Sequence, residues 1–139
     1  MNYSFYGRAI GISTLKSIVY ICVMIAGILF LADTVPPSLY LTIHYIIFFL
    51  NTFMFSEWIF RGREVKKLEL FGSIILTYAW DLLLITLFMS WLVEINLFTQ
   101  QNAAQHGIFF GLHIVAMWSA LYIRKRFHAK SGLAEGLEA

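Results

Sequence analysis

"LFGSIILTYAWDLLLITLFMSWLV", residues 70–93, is the stretch whose reading decides the fold, and Asp81 is its one charged side chain. Crossing the hydrocarbon core of a bilayer takes about 20 apolar residues. No water is present there to satisfy a bare N–H or C=O, so such a run has to be helical. Three further runs read the same way. "SLYLTIHYIIFFLNTFMFSEWIF", residues 38–60, has full spanning length. "GIFFGLHIVAMWSALYI", residues 107–123, is just long enough, and "SIVYICVMIAGILFLA", residues 17–32, becomes so by borrowing from residues 9–16. The expected fold is all-α: four transmembrane helices over about 17–32, 38–60, 70–93 and 107–123, packed as an antiparallel bundle. Residues 1–16 are expected to lie at the membrane interface, and 124–139 to form a basic and then disordered tail. A signal-peptide cut after Ala32 would need a small residue where Phe30 stands, so the first helix is expected to remain attached.

Composition supports this reading. Soluble domains average about 45–50% apolar and about 25% charged residues; this chain has 60% and 13%. The lipid bilayer is thus the first partner. Cys22 is the single cysteine, which excludes an internal disulfide and a cysteine-rich metal site. A net charge of +2 gives no reason to expect nucleic acid.

The basic residues set the orientation. They are Arg8 and Lys16 before the first run, Arg61, Arg63, Lys66 and Lys67 between the second and third, and Arg124, Lys125, Arg126 and Lys130 after the fourth. The other two loops carry Asp33 and Glu94 instead. The positive-inside rule then places both termini and the middle loop in the cytoplasm, in a multi-pass protein of a cell inner membrane. An internal echo accompanies this pattern. MFSEWIFRGR, residues 54–63, and MWSALYIRKR, residues 117–126, share Met, Ser and two Arg at matching places. Two duplicated hairpins would produce it. So would convergence, since helices that enter the cytoplasm tend to end aromatic and then basic.

Polar side chains inside the runs need reasons, because a charge at the bilayer centre costs at least about 2.5–3.5 kcal/mol. Asp81 lies twelve residues before Val93, roughly 18 Å deep at 1.5 Å per residue. Asn51 reaches nearly that level on the second helix. With the short shared loop making helices two and three expected neighbours, Asp81, Asn51, Thr77 and Tyr78 form a candidate buried cluster. It reads either as a proton or cation site for transport or as glue between helices. Glu57, four residues before Arg61, is explained by a helical ion pair.

His44 and His113 each lie six residues below their helix starts, roughly 9 Å inside the outer boundary. Equal depth is what a metal or a haem b held between helices would need, with Gly107 and Gly111 leaving room for a porphyrin. Ordinary hydrogen-bonded histidines arise in the same way. His106 is about 10.5 Å from His113 along one face, too far to share its ion. Gly107 and Gly111, Ala116 and Ala120, and Gly7 and Gly11 are small residues spaced for close helix packing, within the bundle, in a homo-oligomer or against another membrane protein.

No phosphate loop, HExxH, CxxC or nucleophile elbow is present. The chain is therefore expected not to be an enzyme and to need no cofactor. The lack of such motifs, together with the small-residue packing faces, favours an accessory, assembly or protective partner of a larger membrane system. The alternatives are an oligomeric transporter of ions or small molecules using Asp81, and a haem-b or quinone-linked electron-transfer subunit using His44 and His113.

Overall fold

A computed structural model describes residues 3–31, 34–62, 64–93 and 103–135. Four long α-helices account for nearly all of them: α1, Tyr3–Leu31; α2, Pro37–Phe60; α3, Lys67–Val93; and α4, Ala103–Glu135. Each contains a segment long and apolar enough to cross a membrane. The chain is a four-span membrane protein.

Local chemistry sets the helix ends. Pro37 opens α2, where a missing N–H costs nothing, and Tyr40 N–H closes the first turn on the Pro36 carbonyl at 3.0 Å. At the other end of α2 the chain must turn sharply. Gly62 does so at φ +76°, a conformation that side-chain-bearing residues rarely adopt. The Glu69 carboxylate then accepts the Lys66 backbone N–H at 3.2 Å, one half of a capping box at the start of α3.

The extents differ from the expected spans in two places. α1 begins at Tyr3, and its segment long and apolar enough to cross a membrane is Tyr3–Gly27 rather than 17–32. Residues 3–16, expected at the interface, are therefore helical and continuous with the span, and Lys16 falls near its middle. α4 continues to Glu135 through most of the tail expected to be disordered, while residues 136–139 lie outside the described residues. Arg63, Asp33 and Glu94 also lie outside them.

Packing runs in the order α1, α2, α4, α3 around the bundle. α2 lies most closely along α4, and α1 touches both α2 and α3. α2 and α3, expected as neighbours because they share a loop, sit on a diagonal with no backbone contact among the described residues. The short loop crosses the end of the bundle instead. This end is closed by an apolar cluster that includes Phe5, Ile59, Phe60, Leu70, Met117 and Leu121. Arg8 ties it shut: its guanidinium donates to the Trp58 carbonyl at 2.6 Å and the Arg61 carbonyl at 3.0 Å. The Trp58 carbonyl also takes the Arg61 N–H at 3.4 Å, and carbonyls at a helix C-terminus carry partial negative charge, so a cation is well placed there. Large apolar side chains such as Leu29, Leu68, Trp91 and Trp118 point outward, as a lipid solvent permits.

The small-residue pairs divide. Ala116 and Ala120 are fully buried, whereas Gly107, Gly111, Gly7 and Gly11 open outward with no atom within 4 Å of an added Cβ. The internal echo does not extend to packing. Met54 and Trp58 are exposed, while their counterparts Met117 and Leu121 are buried.

Candidate functional site

The inward stripes of three helices are polar at one level. On α1, Ser13, Lys16 and Ser17 follow the three- and four-residue spacing that keeps side chains on one helical face. On α3, Ser73, Thr77 and Asp81 do the same at four-residue steps, and α4 brings in His113. All seven are buried.

Asp81 is the centre. Its Oδ1 accepts hydrogen bonds from the Ser13 hydroxyl at 2.5 Å and the Ser17 hydroxyl at 2.8 Å. Its Oδ2 accepts from the Lys16 ammonium. These donors all come from α1, so the cluster also pins α1 to α3. Unpaired, either charge would face the full cost of sitting in hydrocarbon; paired and hydrogen-bonded, they form a neutral unit.

His113 Nδ1 lies 3.8 Å from the same Oδ2 and makes no hydrogen bond. Its other nitrogen, Nε2, is 3.0 Å from the Thr77 hydroxyl. Thr77 has a single proton to give, and its shortest acceptor is the Ser73 carbonyl at 2.6 Å. Thr77 therefore accepts from Nε2–H, and a neutral His113 carries its lone pair on Nδ1, beside Asp81. The Ser73–Thr77 pair favours the tautomer that leaves a proton acceptor next to the ion pair.

On the side away from Gly62, a cavity of about 110 Å³ reaches Asp81. Tyr20, Phe48, Tyr78, Leu82 and Phe109 are among its walls. Toward Gly62, the apolar cluster closes the bundle. The ion pair thus sits between a half that holds a cavity and a half that is packed shut.

The residues singled out in the sequence fare differently. Thr77 joins the network through His113, and Tyr78 lines the cavity, its hydroxyl donating to the His106 carbonyl at 2.9 Å. Asn51 reaches the level of the site but turns to α1, donating to the Lys16 carbonyl at 3.1 Å. This follows from the diagonal placement of α2 and α3. Glu57 and Arg61 line a separate groove with Arg124 at the Gly62 end. His44 packs edge-on to Tyr40 and Tyr20, and His113 contacts Phe48 and Tyr78. Tyr20 and Phe48 touch each other, so two aromatic rings occupy the path between the histidines. A porphyrin shared by His44 and His113 does not fit this arrangement. Among the described residues, no group of three or more His, Cys, Asp or Glu side chains could hold a metal ion.

Ser13, Lys16 and Ser17 were missed by sequence reasoning, which placed Lys16 among the flanking topology residues. The signal was present. The first apolar run is too short as quoted, and extending it backward carries Lys16 inside. Ser13 and Ser17 then match the spacing of Ser73, Thr77 and Asp81.

This geometry defines a polytopic membrane protein with a buried Asp/Lys/His polar network. Compared with protein families, curated proteins and solved structures, the chain matches none.

Proposed function

We propose that this chain is a proton-coupled membrane transporter of small molecules or ions, with Asp81 and Lys16 as the coupling pair and His113 as the group that takes up and passes on the proton. The observation that carries the reading is an ion pair buried at mid-span and reached from one side by a cavity. A pair that served only as glue would need neither the cavity nor an adjacent imidazole with its lone pair held toward the carboxylate. The network supplies chemistry that composition alone did not reveal, so transport displaces the accessory role as the leading reading. No catalytic turnover is assigned to it.

The positive-inside rule supports an orientation with both termini and the Gly62 loop in the cytoplasm of a bacterial-type inner membrane. Lys16 no longer counts toward that bias, but Arg61, Lys66, Lys67, Arg124, Lys125 and Arg126 still do. The cavity then lies in the outer half of the membrane. Gly107 and Gly111 offer a close-approach face to a second copy, in keeping with an oligomeric transporter.

The test uses purified protein in liposomes with a trapped pH-sensitive dye and an imposed pH gradient. A panel of inorganic cations, amino acids, organic acids and organic amines is added outside. At least one class should discharge the gradient faster than in empty liposomes, and Asp81→Asn should abolish the difference. Wild-type rates from Asp81→Asn with every active solute would sink the reading.

A further inference from the structure

The cavity that reaches Asp81 has mostly apolar walls, with Gln105 and His106 among them and the Asp81 carboxylate as its acid. Tyr20, Phe48, Tyr78 and Phe109 contribute rings, and Leu82 adds aliphatic surface. At about 110 Å³ it is of the order of a cavity that accepts benzene, about 150 Å³. The guest is therefore compact and mainly apolar.

The carboxylate specifies the rest. An ionised Asp offers about four acceptor positions. Ser13, Lys16 and Ser17, all from α1, fill three of them. An acceptor position is thus left to a guest, and only a donor can use it. Aromatic walls favour a donor that is also cationic, since aromatic rings attract positive charge, more strongly when water is excluded. We infer that the cavity binds a compact organic ammonium ion, which donates to the remaining acceptor position of Asp81; this rests on the transport reading above and names its substrate class.

Charge balance then couples the guest to a proton. Asp81 and Lys16 together are neutral. A second cation would leave one uncompensated charge at mid-span, which lipid penalises. Lys16 removes it by losing a proton. One Nζ–H bond breaks, its electron pair stays on the nitrogen, and the proton passes to the Nδ1 lone pair of His113 and on to water. Binding of one ammonium ion thus releases one proton, and the site stays neutral.

The experiment is titration calorimetry on the full chain in detergent, with benzylammonium chloride as the probe and proton release followed in weak buffer. Saturable binding with about one proton released per ammonium bound is expected from the neutrality argument. Benzyl alcohol, which has the ring without the charge, should bind at least about tenfold more weakly, and so should tetramethylammonium, which has the charge without an N–H. Asp81→Asn should lose binding. Leu82→Trp, which fills the cavity while leaving the α1 donors on Asp81, should lose it too, and guards against a fold defect in the first variant. Benzyl alcohol binding as tightly as benzylammonium, or full affinity in either variant, would overturn the inference. Asp81-dependent discharge of a pH gradient by other solutes, with no benzylammonium binding, would overturn it and leave the transport reading intact. Wild-type discharge by Asp81→Asn would remove both.

Discussion

At the scale of single residues, the protein turns on two charges that exist in the membrane only because they exist together. Asp81 has an ammonium and two hydroxyls, all from α1. Removing one member of a buried pair strands the other, at a cost of about 3–5 kcal/mol, whereas replacing both by groups of similar shape is often nearly neutral. Lys16→Met and Asp81→Asn should therefore each lower thermal stability in detergent sharply, and the double variant should recover to within about 1–2 kcal/mol of wild type. Additive losses in the double variant would show that the two side chains do not act as a unit. The recovered double variant should still fail to discharge a pH gradient, which separates the pair's structural work from its function. A second residue-level expectation concerns His113. Nitrogen NMR of labelled protein should show Nε2 protonated and Nδ1 bare. Thr77→Val should weaken that preference, because the hydroxyl that accepts from Nε2 is gone, and an unchanged tautomer in that variant would contradict the assignment.

At the scale of helices, the spans were legible in the sequence and their neighbours were not. Runs 38–60 and 70–93 are long and uniformly apolar, so the physics of an unsatisfied backbone in lipid determines them alone. The first run is different. Hydropathy marks its boundary at Lys16, and a lysine beside an apolar run normally sits at the surface. Only the partner on α3 makes a buried lysine tolerable, and a partner is a tertiary fact. Asp81 was legible because nothing in its own run explains it. Asn51 was read at the right level but assigned the wrong neighbour, because a short loop limits how far apart two helix ends lie without fixing which helices pack together. The small-residue pairs show the same gap between spacing and placement. Ala116 is fully buried in the bundle, so Ala116→Leu should overpack it and cost about 1–3 kcal/mol. Gly111 has open space around it, so Gly111→Leu should leave the monomer's thermal stability unchanged and, if copies meet there, reduce oligomer content in cross-linking. A strong loss of monomer stability in Gly111→Leu would mean that the position packs inward.

At the scale of the whole molecule, the bundle is closed at the Gly62 end by packed side chains and the Arg8 tie, and holds a cavity in the other half. Orientation decides what that asymmetry means in a cell. In a Cys22→Ser background, Glu64→Cys should react with a membrane-impermeant thiol reagent only after the membrane is opened, and Ser38→Cys should react in intact cells. The reverse pattern would turn the molecule over and put the cavity on the cytoplasmic side. The placement of Lys16 has one more consequence, in the order of synthesis. α1 leaves the ribosome first, and it carries a charge that lipid penalises. Its partner does not emerge until some sixty-five residues later, since Asp81 follows Lys16 at that sequence separation. The first helix therefore enters the bilayer with a penalty that its own apolar residues must offset. The arrival of α3 removes that penalty, so the third helix completes the settling of the first.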